Sequence, residues 1–171
     1  MKEKNRTQEM ALAAMLTALV CIATMIIKIP SPLKGYINLG ECVVLLAGWV
    51  LSPGYGFLAA GLGSAMADIF SGYLIYAPAT FLIKGMMALV AHYGRKALCK
   101  KSGELLDKII PGFFAELLMV MGYFVFEGFL YGFVPSMVNI PANSVQGVAG
   151  LILGCVLIRI FEQHRLTMIT K

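Results

Sequence analysis

The chain has 171 residues, 59% of them hydrophobic and only 13% charged, with a net charge of +5 and a mean hydropathy of +0.81. Soluble domains carry about 25% charged residues, so the composition argues against a water-soluble globule. Its basic residues sit beside apolar runs without interleaved stacking aromatics, which argues against nucleic acid and for contact with anionic lipid.

Eleven of the fourteen Lys and Arg residues fall in three places: Lys2, Lys4 and Arg6; Arg95, Lys96, Lys100, Lys101 and Lys108; and Arg159, Arg165 and Lys171. The positive-inside rule puts all three clusters in the cytoplasm. Met10 to Ile27 is the first apolar run, broken only by Thr17 and Thr24 and long enough for about 27 Å of helix. No small-x-small cleavage site follows it, so it reads as a retained helix and not as a signal peptide. Lys28 to Gly40 is a long connection in which Pro30 and Pro32 preclude a regular helix.

A second run, Cys42 to Leu51, ends at the turn Ser52-Pro53-Gly54. Phe57 to Gly72 is a third, Ala77 to Gly94 a fourth, Ile109 to Phe133 a fifth and Ile140 to Phe161 a sixth. The second run covers only about 15 Å, half a hydrocarbon core. Parity argues that it crosses nonetheless, because otherwise Arg95 to Lys108 would lie opposite the basic N-terminus. Helix two then starts near Ile37. The expected fold is all-α: one membrane domain over residues 1–171, six transmembrane helices, both termini cytoplasmic, and a long external loop between helices one and two.

Small residues at i, i+4 mark close helix packing. Gly56, Ala60, Ser64 and Asp68 form one stripe on helix three, and Ala59, Gly63 and Ala67 the next. Gly128 and Gly132 repeat the pattern on helix five, and Gly150 and Gly154 on helix six. Trp49 reads as an anchor at the inner interface, and Tyr36, Tyr73, Tyr76 and Tyr131 as tyrosines near the outer one.

Several polar groups lie at depths that lipid does not tolerate. Glu41 starts helix two, Asp68 lies near the outer end of helix three, and Lys84 is about two turns into helix four. Tyr123 and Glu127 occupy the outer half of helix five, and Asn139, Asn143 and Gln146 run down one face of helix six. They form either an internal salt bridge, such as Lys84 with Asp68 or Glu127, or a ligand pocket beneath the external loop. Convergence of five helices on one depth favours the pocket. Glu116, on the inner half of helix five, is expected to pair with a basic neighbour or to face another protein.

Other chemistries lack their residues. His92 and His164 stand near no Cys or carboxylate at ligand spacing, so neither a metal nor any other cofactor is expected. Cys21, Cys42, Cys99 and Cys155 show no C-x-x-C spacing, and three of them lie in or beside apolar runs, so buried thiols are the default reading. There is no P-loop, and no Ser/His/Asp set converges at one depth. Two other classes fit the same spans, a stand-alone small-solute carrier and a membrane enzyme.

The runs Gly35-Tyr-Ile-Asn-Leu-Gly-Glu41, Leu46-Ala-Gly48, Gly63-Ser-Ala-Met-Ala-Asp68 and Tyr76-Ala-Pro-Ala-Thr-Phe-Leu-Ile-Lys-Gly85 together resemble the S components of energy-coupling factor (ECF) vitamin transporters. In appearance the chain is closest to the hydroxymethylpyrimidine or vitamin B6 branch, which groups with riboflavin-type S components. The resemblance implies a multi-pass protein of a prokaryotic cell membrane, with an external vitamin pocket closed by the loop Lys28 to Gly40. It implies as partners a T subunit, docked on the Ala-x-x-x-Ala motif matched by Ala14 and Ala18, and two ATPases that supply energy in place of a P-loop. The S component of that family captures the vitamin and topples in the bilayer to release it. For a pyridine or pyrimidine ring with hydroxymethyl groups, Tyr36, Tyr76 and Tyr123 offer stacking or hydrogen bonds. Asn38, Asn139, Asn143 and Gln146 offer donors and acceptors, Lys84 suits a phenolate or aldehyde oxygen, and Glu41, Asp68 or Glu127 suits a ring N–H. Riboflavin is the alternative substrate.

Overall fold

The structure, a computed structural model, describes residues 6–30, 36–98 and 105–169, with side chains described up to residue 163. Lys34 of the external loop, Cys99, the terminal lysines and the His164 and Arg165 side chains lie outside the described residues. Six helices carry the fold: α1 (Arg6–Ile26), α2 (Glu41–Val50), α3 (Pro53–Phe70), α4 (Ala77–Leu98), α5 (Leu106–Tyr131) and α6 (Ile140–Ile169). The number agrees with the six apolar runs. Three stretches are long and apolar enough to cross a bilayer on their own: Arg6–Ile26, Leu106–Tyr131 and Phe133–Gln163. At ~27 and ~33 Å, α3 and α4 have the length, but they carry Asp68 and Lys84 on their buried faces.

Two boundaries differ from the sequence expectation. Helix two begins at Glu41 and not near Ile37, because Tyr36–Asn38 instead pairs antiparallel with Lys28–Pro30 as a short hairpin, β2 on β1. Three-residue strands leave no alternation long enough to read from sequence. Helix three begins at Pro53 and not Phe57. Ser52 is the extended residue before it and Pro53 takes a first-turn position, where its missing N–H costs nothing.

Burial is reversed relative to a soluble protein. Phe129 and Val134 are 80% and 77% exposed, whereas Glu41 is fully buried and Glu127 and Lys84 are 2% and 3% exposed. An apolar exterior around a polar interior is the arrangement lipid selects. At the centre stands α2, nine of whose ten residues are buried. It packs against all five other helices, so an all-round apolar sequence is what its position demands. Trp49 belongs to this core and is no interfacial anchor: its ring fills the space left by Gly112 and Gly154.

Close approaches follow the small residues. A Cβ on Gly63 would lie 2.6 Å from the Thr17 carbonyl oxygen of α1, and one on Gly48 2.6 Å from the Ala88 carbonyl oxygen of α4. Both stripes of α3 are buried, as are Gly150 and Gly154. Gly132 departs from the packing expectation. It is exposed and ends α5 at φ +94°, a conformation that a Cβ would strain. From there a helical turn (Phe133–Ser136) and a 3-10 turn (Met137–Asn139) lead into α6.

Hydrogen bonds show which helix ends meet. Glu9 of α1 accepts from the Ser52 backbone N–H at 2.7 Å, Arg95 of α4 donates to the Trp49 carbonyl at 2.7 Å, and His92 Nδ1 donates to the Leu51 carbonyl at 3.0 Å. Lys108 of α5 and Arg95 both reach Glu162 of α6 at 2.8 Å. The basic residues of the described helix ends therefore gather at one end of the bundle, which we call the basic end. At the other end the hairpin meets α1, the end of α3 and the start of α6.

Candidate functional site

The cleft exists because α2 is short. Glu41, its first residue, meets Lys84 and Gln146, which lie seven and six residues into α4 and α6. The floor is thus recessed ~10 Å below the ends of its neighbours. Above it the β1–β2 hairpin forms a roof. The cleft beneath it, a cavity of about 40 Å³, is lined by Thr24, Tyr36, Asn38, Gly40, Ser64, Asp68, Tyr73, Tyr76, Thr80, Lys84, Tyr123, Glu127, Asn143 and Gln146. Gly40 lets the chain pass close against α1, since a Cβ there would collide with the Thr24 hydroxyl.

Floor and roof are joined by one chain of hydrogen bonds. Lys84 is ion-paired with Glu41 Oε1, both side chains fully withdrawn from the surface. Gln146 Nε2 donates to the same oxygen at 2.6 Å, and Gln146 Oε1 accepts the Asn38 backbone N–H at 2.7 Å. Lys84 also stands 5.3 Å from the centre of the Tyr123 ring, a cation–π distance. The internal salt bridge weighed as the alternative to a pocket, Lys84 with Asp68 or Glu127, is not formed; Lys84 pairs with Glu41. The recessed start of α2 brings Glu41 to the depth of Lys84.

Two further contacts hold the roof. Tyr36 donates to Asp68 Oδ1 at 2.5 Å, and Lys28 donates to Ser71 Oγ. Burial first, and then the Asp68 carboxylate, pushes the Tyr36 phenol above its ordinary range, so it stays a protonated donor. One wall is aromatic: the rings of Tyr36 and Tyr73 lie 4.9 Å apart, and Tyr73 and Tyr76 6.4 Å. Beside this wall Asn139 Nδ2 donates to Glu127 Oε1 at 2.9 Å, and the Tyr76 hydroxyl makes a longer contact with it at 3.4 Å.

Hydrogen-bonding capacity is left over here. Of the lining residues, Glu127 Oε2 and Ser64 Oγ are buried with no hydrogen-bond partner, and no described cation lies within ion-pair distance of Asp68 or Glu127. Buried polar atoms are normally satisfied. An acceptor-rich cleft with unmet capacity and an aromatic wall is suited to a flat ligand bearing N–H and O–H donors.

The model of one transporter-subunit family, "ECF-type riboflavin transporter, S component", matches residues 4–163. The chain belongs to that family. S components of this kind are substrate-binding membrane subunits of vitamin transporters, not enzymes. A relative from Pyrococcus woesei, described as an uncharacterized protein in gap 3′ region, is 32% identical over 136 residues, which are 79% of this chain and 88% of that protein. The fold is also that of solved S components. One, from a bacterial ECF transporter, superposes with a TM-score of 0.74 at 22% identity, covering 94% of this chain and 98% of its own. Another, the S component for biotin of an ECF-type ABC transporter, gives 0.69 at 17% identity, covering 95% of both chains.

Within this S-component fold, Tyr36, Asn38, Asp68, Tyr76, Lys84, Tyr123, Glu127, Asn143 and Gln146 line one cleft. Glu41 and Asn139 stand behind it, holding Lys84 and Glu127. Thr24, Ser64, Tyr73 and Thr80 line it as well but were not singled out as site residues in the sequence. Thr24 had a signal: it falls in step with the buried Ala13, Leu16 and Val20 on one face of α1. Glu116 neither pairs nor faces outward. Its carboxylate is buried with no hydrogen-bond partner, in space left by Gly147 and Gly150.

Proposed function

We propose that the cleft captures a vitamin at the outer face of a prokaryotic cell membrane, and that the chain hands it to an ECF module of a T subunit and two ATPases. The basic end faces the cytoplasm, with both termini there, by the positive-inside rule. A single-ring vitamin of the pyridoxine or hydroxymethylpyrimidine type is the substrate this reading favours. One observation carries it: Lys84 is occupied by Glu41, while among the described residues Asp68 and Glu127 have no cation. The cleft therefore asks its ligand for donors, and a ring N–H with hydroxymethyl groups supplies them beside Tyr36, Tyr73 and Tyr76. Riboflavin is the second reading, favoured by the family whose model the chain matches.

Native mass spectrometry of the purified chain with a panel of pyridoxine, pyridoxal, hydroxymethylpyrimidine and riboflavin tests this. Retention of a single-ring vitamin is expected. Selective retention of riboflavin moves the assignment to the second reading, and no retention of any vitamin ends the capture proposal.

Docking is assigned to the exposed side of α1, where Ala14 and Ala18 face outward and leave a shallow seat for a partner helix. Ala14→Trp is expected to abolish copurification with a T subunit while vitamin binding persists. Retained assembly would sink that assignment.

A further inference from the structure

A second concavity lies on the outside of the bundle, towards the basic end. It is a groove between α5 and α6, lined by Leu105, Ile109, Leu151, Ile152, Cys155, Val156 and Arg159. Six of these side chains are apolar or thiol and one is a cation. On α6 they follow i, i+1, i+4, i+5 and i+8, so they form one stripe with Arg159 at its inner limit. Leu105, Ile152 and Val156 are exposed, at 38%, 59% and 50%.

Depth matters here. Arg159 lies nineteen residues from Ile140, the start of α6, or ~29 Å along the helix, close to the ~30 Å thickness of a hydrocarbon core. From Arg159 back to Leu151 is ~12 Å, within the half-thickness of that core, ~15 Å. The groove thus starts at one headgroup level and runs through one leaflet.

Charge decides what fits. Arg95 and Lys108 are committed to Asp107 and Glu162, with Arg95 Nε 3.8 Å from Asp107 and both cations 2.8 Å from Glu162. Arg159 is exposed and makes no ion pair among the described residues. An exposed guanidinium at headgroup level, heading an apolar groove of leaflet depth, matches an anionic phospholipid with one acyl chain in the groove. We infer that the α5–α6 groove is a binding site for an anionic phospholipid, whose phosphate is held by Arg159 and whose chain lies along Val156, Ile152 and Leu151. This site is separate from the vitamin cleft and does not depend on the substrate assignment.

The test is native mass spectrometry of the full chain in detergent, with phosphatidylglycerol and phosphatidylcholine of identical acyl chains offered together. Wild type is expected to retain phosphatidylglycerol in preference by about fivefold, the equivalent of ~1 kcal/mol per basic residue near an anionic headgroup. Arg159→Gln should remove that preference and Arg159→Lys should restore most of it, which separates charge from folding. Ile152→Trp, which fills the groove, should lower retention of phosphatidylglycerol. Equal retention of the two lipids by wild type would overturn the site, leaving only general lipid contact. So would a preference unchanged in Arg159→Gln, or an Ile152→Trp variant that keeps its lipid but loses a copurifying protein.

Discussion

The two ends of the bundle handle charge in opposite ways. At the basic end, Arg95 and Lys108 share Glu162, Arg95 also approaches Asp107, and the arginine reaches the Trp49 carbonyl. The cations there tie α4, α5 and α6 to the end of α2. At the hairpin end, among the described residues, only Lys84 and Glu41 form an ion pair, while Asp68 and Glu127 have no cation and Glu127 Oε2 no hydrogen-bond partner. At the basic end Arg95 and Lys108 are paired off, although Asp107 Oδ1 and Trp49 Nε1 keep no hydrogen-bond partner, whereas around the cleft two carboxylates lack a cation among the described residues. At the hairpin end α2 starts ~10 Å short of the ends of α4 and α6, and the cleft occupies that recess.

The largest effect is expected at the floor. Lys84→Met leaves Glu41 buried and unpaired, which costs ~3–5 kcal/mol and should appear as a lower unfolding temperature in detergent. Adding Glu41→Gln removes the stranded charge, so the double variant should recover most of that stability. Vitamin affinity, read by calorimetry, should stay lost in both. If the double variant binds like wild type, Lys84 is a fastening residue, and the contrast between the two ends disappears.

Much of this contrast was legible in the sequence, and the illegible parts share a cause. Basic clusters and apolar runs gave the number of helices and grouped their basic ends, even for the ten-residue α2, because parity needs no knowledge of packing. Depth along each helix brought Asp68, Lys84, Tyr123, Glu127 and Gln146 to one level, since a rise of 1.5 Å per residue is the same in every helix. Depth does not give azimuth, however. The salt-bridge alternative therefore paired Lys84 with Asp68 or Glu127, when the recess of α2 gives it Glu41. Trp49 drew an interface assignment for the same reason, although Gly112 and Gly154 make room for it inside. The hairpin was invisible because its strands are three residues long and its stability comes from Asp68, Ser71 and Gln146, which are distant in sequence.

The roof should show an intermediate effect. Tyr36→Phe removes the hydroxyl that donates to Asp68, a hydrogen bond to a charged group worth ~1.5–3 kcal/mol. Lys28 with Ser71 and Asn38 with Gln146 still hold the hairpin, so the protein should fold normally. Vitamin release should quicken by about tenfold, corresponding to ~1.4 kcal/mol, in a stopped-flow displacement experiment. An unchanged release rate would mean that the Tyr36–Asp68 contact does not close the cleft.

The smallest effect belongs to the basic end, and its smallness is what makes it informative. The Glu162 side chain is 35% exposed, so its pairs are partly screened by water and contribute ~0–1 kcal/mol each. Glu162→Gln keeps an acceptor for Arg95 and Lys108 and removes only the charge. Unfolding temperature should fall slightly, and vitamin affinity should match wild type because no part of this network touches the cleft. A large loss of affinity in Glu162→Gln would show that the basic end and the cleft are coupled through α6. The two ends would then be a single device, and the unmet capacity around Glu127 would have to be explained by the state of the whole bundle and not by the ligand alone.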